Sequence, residues 1–153
     1  MLRKIKFRGQ RCSVSYDGQD KWVYGYYVES NRSWRGHKPH KSWIVDSPFT
    51  NGGWFSLMGR TAVKDDTVGQ YTGYKDCKGV EIYENDILRF GGLEGVITWH
   101  PDGYWCIHEC EYDIKNYSYR SLGEMIKYLD EQCLYYDVIG NIHDSKTEKE
   151  INV

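Results

Sequence analysis

The sequence GVITWHPDGYWCIH at residues 95–108 contains the clearest local structural signal in this chain of 153 residues. Two runs rich in β-branched and aromatic residues, Gly95–Trp99 and Tyr104–His108, flank the tetrapeptide His100–Gly103. Proline at the second position and glycine at the fourth are typical of a type I turn. Residues 95–108 therefore predict a β-hairpin.

Strand and turn signals continue on both sides of this hairpin. The chain has 6 Trp, 14 Tyr, 4 Phe and 16 Gly, a composition that favours short strands and turns over helices. Charged and apolar residues alternate at Lys4–Arg8, as expected for a strand with one dry face. Further strands are predicted at Trp22–Val28, Ser42–Asp46, Trp54–Val63, Ile82–Arg89 and Tyr136–Ile142.

One α-helix is predicted, at about 121–130. Ser121 and Glu124 have the spacing of a capping box, in which the two side chains satisfy backbone N–H groups at a helix start. Leu122, Met125, Ile126 and Leu129 follow at the spacing of one buried helical face.

A family resemblance lies in the residues between the N-terminal strands and the hairpin. Residues 67–76 read TVGQYTGYKD, Gly79 follows, and residues 81–87 read EIYENDI. This run resembles the signature of YopX-type phage and prophage proteins, with Asn85 at a position where the family usually has Gly. The segments IKFRG (5–9), WVYG (22–25) and VIGNI (138–142) resemble its N-terminal and C-terminal blocks.

The resemblance implies a phage or prophage protein with an SH3-like small β-barrel and no established biochemical activity. It provides no catalytic residues to carry over. We expect a single unit over 1–153, mainly β, with a basic N-terminal β region at 1–62. An SH3-like barrel half with the helix is expected at 63–145, and a tail at 146–153.

The residue types of the signature suit tight turns. Gly69, Gly73 and Gly79 fit positions where a side chain would clash, and Asn tolerates the positive φ of a Gly turn. The signature's acidic residues (Asp76, Glu84 and Asp86) are expected to accept hydrogen bonds from turn amides. The alternative is an acidic metal or acid–base site of an uncharacterised enzyme, formed by Glu81, Glu84 and Asp86.

Charge is distributed unevenly along the sequence. Residues 1–64 hold 12 Lys/Arg against 4 Asp/Glu, and residues 65–153 hold 8 against 18. Such a split is compatible with a bound polyanion, with attraction between copies of the chain, or with two solvated faces. The 5 cysteines are odd in number and irregularly spaced, which favours free thiols. The chain also shows no signal peptide or membrane span, so we expect it in the cytoplasm of a bacterial host.

Metal and cofactor sites are not predicted. Cys106 and Cys110 would lie roughly 13 Å apart along a straight strand, with His108 between them, which is too far for one zinc ion. His37 and His40 lack a third ligand nearby. We therefore expect no catalytic residues, metal or cofactor.

The most suggestive stretch for function is residues 32–43, here called the basic strip. Cations and rings both recur every three residues, as in an extended chain that presents two stripes. Proteins that bind single-stranded nucleic acid combine cations, which contact the phosphates, with aromatic rings, on which the bases stack. The alternative is a solvated loop pinned by its two tryptophans. The candidate nucleic-acid-binding residues are Arg32, Trp34, Arg35, His37, Lys38, His40, Lys41 and Trp43.

The sequence therefore favours a non-catalytic binding module, with single-stranded nucleic acid as its partner. The alternative is a homo-oligomeric or protein-binding accessory factor held by the opposite charges of the two halves. An enzyme is the least favoured class.

Overall fold

A computed structural model of the chain describes residues 4–12, 21–29, 41–45, 59–109 and 120–144. The chain divides into two compact units, Met1–Gly73 and Tyr74–Val153. The finer sub-regions expected from the sequence stay a prediction. In the described part of the chain, no helix is both long and apolar enough to span a membrane.

The described residues are mainly β, as predicted, with one α-helix and a single turn of 3-10 helix at Asp65–Thr67. The helix, α1, is Leu122–Glu131. The strands are β1 (Phe7–Gln10), β2 (Trp22–Glu29), β3 (Ser42–Val45), β4 (Arg60–Val63), β5 (Gly69–Lys75), β6 (Glu81–Tyr83), β7 (Asp86–Phe90), β8 (Leu93–His100), β9 (Tyr104–Glu109), β10 (Arg120–Ser121) and β11 (Tyr136–Asn141).

The strands form two antiparallel sheets, with the orders β4-β3-β2-β1-β5-β6 and β10-β9-β8-β7-β11. The predicted closure into an SH3-like barrel is not confirmed. Among the described strands, no pairing joins β10 to β11, so the second sheet is open at both edges. The predicted strand at 54–63 is described only from Arg60 onward, and its first residues lie outside the described part.

The first unit has a small apolar core on one face of its sheet. Val23, Ile44 and Val63 are buried there, and Phe7, Tyr27 and Val68 pack against them. Gly25 lies in β2 on this face, where a Cβ would collide with the carbonyl oxygen of Val45. This glycine therefore permits β2 and β3 to pair closely.

The second unit contains the predicted hairpin and helix. The amide of Gly103 donates to the carbonyl of His100 at 2.9 Å, which confirms the turn between β8 and β9. Helix α1 buries the four predicted residues, Leu122, Met125, Ile126 and Leu129. They pack with strand residues of the second sheet, among them Ile97 and Leu88, into one core.

The predicted capping box at the start of α1 is wrong in its detail. Ser121 is the N-cap residue, but its side chain makes no capping hydrogen bond. Ser121 instead belongs to β10 and pairs with Cys106 of β9. Helix α1 therefore begins directly after a strand, and packing of its apolar face fixes its position.

Candidate nucleic-acid interface

Two candidate binding residues of the basic strip, Lys41 and Trp43, lie within the described part of the chain. The other six candidates lie outside the described residues: Arg32, Trp34, Arg35, His37, Lys38 and His40. Lys41 Nζ is 3.3 Å from Glu29 Oε1, and both side chains are about half exposed. The hydrogen bond to Glu29 raises the pKa of Lys41, so this cation stays charged at neutral pH.

Trp43 lies on β3 beside a cation of the neighbouring strand. The Arg60 guanidinium carbon is 4.6 Å from the centroid of the Trp43 ring. The register explains this contact, because Trp43 pairs with Ala62 of β4 and Arg60 is two residues away on the same face. The ring is half-buried and Arg60 is exposed.

Strand β2 places three further rings on the face that carries Trp43. Trp22, Tyr24 and Tyr26 alternate with the core-facing residues Val23 and Gly25. Tyr24 is 46% exposed and Tyr26 is 45% exposed, although rings of this size normally bury much of their surface. Along residues 22–26 the strand thus turns Val23 and Gly25 towards the core and three rings away from it.

Strand β1 and the residues before it add two cations to the same face. Lys6 Nζ is 5.3 Å from the centroid of the Tyr24 ring. The Arg8 guanidinium carbon is 4.6 Å from the centroid of the Trp22 ring. Arg8 pairs directly with Tyr24 in the β1–β2 register, which brings cations and rings together.

We call this surface the cation–ring face. It consists of three cations and four rings on one side of the first unit's sheet: Lys6, Arg8 and Arg60 with Trp22, Tyr24, Tyr26 and Trp43. Among the described strand residues of the first unit, no Asp or Glu occupies this side. Positive charge and exposed rings therefore occur together on the described strands of this side.

Sequence reasoning missed six of these seven residues. The alternation of rings in Trp22–Val28 was visible and predicted a strand. The missing information was the register of β1, β3 and β4 against β2, which places Lys6, Arg8 and Arg60 on the ring side.

Two of the three acidic signature residues, Asp76 and Asp86, have the structural role that the sequence favoured. Asp76 Oδ1 accepts hydrogen bonds from the amides of Lys78 (2.9 Å) and Val80 (2.8 Å). Asp86 Oδ2 accepts a hydrogen bond from the amide of Tyr83 (2.8 Å). Asn85, between Tyr83 and Asp86, has a φ of 66°, the left-handed conformation expected for a Gly turn.

The turn after β5 also covers the outer edge of β11. Asp76 Oδ2 accepts a hydrogen bond from the amide of Val138 at 3.1 Å. Cys77 donates its amide to the carbonyl of Tyr136 at 3.2 Å and accepts the amide of Tyr136 on its sulfur at 3.4 Å. Unpaired groups at a sheet edge invite pairing with another chain, so this turn protects the edge.

Beside this turn, Asp137 forms a buried ion-pair cluster. Its side chain is 4% exposed, and its Oδ2 lies 3.0 Å from Lys78 Nζ and 3.2 Å from Arg89 Nη2. The hydrogen bond from Lys78, followed by Arg89, lowers the pKa of Asp137, while burial acts in the opposite direction. The Asp137 carboxylate therefore forms ion pairs with both cations.

Two residues of the alternative acidic site, Glu81 and Asp86, make hydrogen bonds to neighbouring side chains. Glu81 Oε2 accepts the hydroxyl of Tyr83 at 2.6 Å, and Asp86 Oδ1 accepts the Asn141 side-chain amide at 3.3 Å. Within the described ranges, no three His, Cys, Asp or Glu side chains come together to hold a metal ion.

The cysteine motif of β9 is likewise not assembled into a described site. Cys106 is buried against Thr98, and the neighbouring His108 is exposed, while Cys110 lies outside the described residues. The described cysteines, Cys12, Cys77, Cys106 and Cys133, all carry free thiols.

The family model described as YopX protein matches residues 10–147. The chain belongs to the YopX family. This match covers most of the cation–ring face, the signature turns, α1 and β11. A search of curated proteins finds no match to this YopX-family chain.

Proposed function

We propose that this YopX-family chain is a phage- or prophage-encoded binding module without catalytic activity, which holds single-stranded nucleic acid in the host cytoplasm. The interface is the cation–ring face together with the basic strip, which share Trp43. The observation that carries the proposal is the set of three cation–ring contacts on one side of the first sheet.

The chemistry of this face matches the two parts of a single strand. Lys and Arg side chains neutralise phosphates and release counterions, while bases stack on exposed rings. Each cation here lies within about 6 Å of a ring. Arg8 is only 7% exposed, so phosphate and base contacts would occur side by side at Lys6 and Arg60. The bases of a duplex are already stacked and paired, so a duplex has much less base surface available to stack on these rings.

The salt dependence of binding tests the electrostatic part. On single strands each phosphate contact contributes a log–log slope of about −0.7, so Arg60→Ala should flatten the slope by about that amount. Lys127→Ala is the matched control, because Lys127 is an exposed cation of the second unit, 78% exposed beside Glu131. Fluorescence anisotropy with a labelled thymidine oligonucleotide measures both variants.

Two results would contradict the proposal. One is no binding of the unmodified protein to the oligonucleotide at low salt. The other is an equal change of slope for Arg60→Ala and Lys127→Ala. Each variant must keep its melting temperature for the comparison to count.

A second candidate function is a homo-oligomeric or protein-binding accessory factor. The supporting observation is the excess of basic residues in 1–64 and of acidic residues in 65–153. Contacts between such halves weaken with salt, because the Debye length falls to about 3 Å at 1 M. Light scattering should then show a larger particle at low salt, and a monomer at every salt concentration would exclude self-assembly.

A further inference from the structure

Three of the four rings on the cation–ring face are evenly spaced along one strand. Trp22, Tyr24 and Tyr26 occupy alternate positions of β2 and point to the same side. A strand rises about 3.3–3.4 Å per residue, so neighbouring rings are roughly 6.7 Å apart along β2. Val28, the next residue on this side, has no ring, so the series ends at Tyr26.

This ring spacing is about twice the spacing of stacked bases. In a double helix each strand advances about 3.4 Å per nucleotide. Consecutive bases therefore match consecutive rings only if the strand is stretched to about twice its stacked rise. A base-paired helix cannot adopt this spacing without losing its stacking.

We propose that β2 is a base-stacking ladder, in which Trp22, Tyr24 and Tyr26 each take one base of a stretched, unstacked single strand. This proposal rests on the proposed function and specifies its ligand as a short run of about three unstacked nucleotides. The ladder selects single strands through geometry as well as through charge.

The cations define where the phosphates run. Arg8 of β1 pairs with Tyr24 of β2, and Lys6 lies over the Tyr24 ring, so both cations border the ladder on its β1 side. Arg60 lies on the opposite side, on β4 beside Trp43. Arg8 is only 7% exposed and Lys6 is partly exposed, so Lys6 is the cation on this side that a phosphate reaches, and the bases point across β2.

Binding would rearrange the cations rather than the strands. In the free protein Lys6 lies over the Tyr24 ring and Arg8 over the Trp22 ring. An incoming base takes the place of Lys6 over the ring, and the ammonium moves to the adjacent phosphate. Arg8 stays in place, because it is only 7% exposed, and a base reaches the exposed part of the half-buried Trp22 ring.

The decisive variants change the middle ring. Stacking on a ring contributes enough that its loss weakens binding about five-fold or more. We expect this loss for Tyr24→Leu, whereas Tyr24→Phe, which keeps the ring, should bind like the unmodified protein. Tyr128→Leu is the matched control, because Tyr128 is an exposed tyrosine of the second unit at 51% exposure.

The affinities are measured by anisotropy with short thymidylate and uridylate oligonucleotides and with a blunt duplex. Loss of binding with Tyr24→Leu in either single-stranded arm supports the ladder, and the tighter arm identifies the preferred class of single strand. Affinity should rise steeply with length up to about three nucleotides, and the duplex should bind far more weakly.

The outcomes separate the ladder from the proposed function. If the unmodified protein binds single strands but Tyr24→Leu behaves like Tyr128→Leu, the ladder is wrong and the proposed function stands. Duplex binding as tight as single-strand binding would also overturn the ladder. If no single strand binds at all, both proposals fall.

Discussion

The two units use the same kinds of residue in opposite ways. In the described part of the second unit, Trp105, Tyr136 and Phe90 are buried in a core shared with α1. In the first unit, Tyr24 and Tyr26 are displayed on the sheet, and the described core has only Val23, Ile44 and Val63 fully buried. Three rings thus belong to the core of the second unit, whereas two rings of β2 in the first unit stay exposed, although Tyr71 of that unit is buried.

Charged side chains show the same contrast. Asp76, Asp86 and Asp137 of the second unit are almost fully buried and are occupied by amides or cations. Three cations of the first unit lie over rings, on a side where the described strand residues include no carboxylate. The signature acids Asp76 and Asp86 thus have structural contacts in the second unit, whereas the first unit carries the surface on which the proposed function rests.

The largest expected effect is in the second core. Leu122 is fully buried at the start of α1, so Leu122→Ala should lower the free energy of unfolding by about 2–5 kcal/mol. Leu134→Ala is the control, because Leu134 is 43% exposed and should lose less than about 1 kcal/mol. Urea denaturation checks both, and equal losses would contradict the assignment of the core.

A somewhat smaller effect is expected at the signature turn. Asp76→Ala removes the acceptor for the amides of Lys78, Val80 and Val138, so the loss should be about 2–3 kcal/mol or more. Glu131→Ala is a matched carboxylate control in the same unit, since it loses only a 3.9 Å contact with Lys127. A loss below about 1 kcal/mol for Asp76→Ala would show that the hydrogen bonds of Asp76 contribute little to the free energy of unfolding.

The Asp137 cluster predicts a specific acid sensitivity. The pKa of Asp137 is lowered in the folded state, so its stabilisation is present above the unfolded value of 3.8 and is lost as the pH falls through the lower folded pKa. Its partners Lys78 and Arg89 are about half exposed, so solvent weakens the pair and the effect should be smaller than that of Asp76→Ala.

Melting temperatures measured from neutral pH down to acid check this prediction. Asp137→Asn should be less stable at neutral pH and should lose less stability below about pH 4 than the unmodified protein. Parallel curves for the two proteins would show that Asp137 does not titrate differently in the folded state.

The smallest expected effect is at the start of α1. A capping box would make Ser121→Ala cost about 1 kcal/mol, whereas the Ser121 side chain makes no capping bond here. We expect a change within about 0.5 kcal/mol by urea denaturation. A loss of about 1 kcal/mol or more would indicate that the Ser121 side chain does form the capping hydrogen bond.

The sequence predicted features that depend on neighbouring residues. The turn at His100–Gly103 and the buried face of α1 follow from local spacing, and both are confirmed. The amide contacts of Asp76 within its own turn were also predictable. Its bond to Val138 was not, because that residue is 62 positions away in the sequence.

The candidate interface was less predictable for the same reason. The contact of Arg60 with Trp43 depends on how β3 and β4 pair, and that of Lys6 with Tyr24 on how β1 and β2 pair. Strand register is set by long-range packing, and a shift of one residue would send each ring to the core side. Periodicity in residues 32–43 identified Trp43 but could not reveal the rings of β2.

The central claim is that exposed rings of the first unit bind bases, and that exposed rings elsewhere do not. Its most direct test compares Tyr24→Leu/Tyr26→Leu with Tyr128→Leu/Tyr135→Leu, two pairs of exposed tyrosines from the two units. At equal melting temperature, the first pair should raise the Kd for a thymidine oligonucleotide about thirty-fold or more, since each lost stack costs at least about 1 kcal/mol. The second pair should leave the Kd unchanged. Equal Kd values for the two double variants would contradict the account.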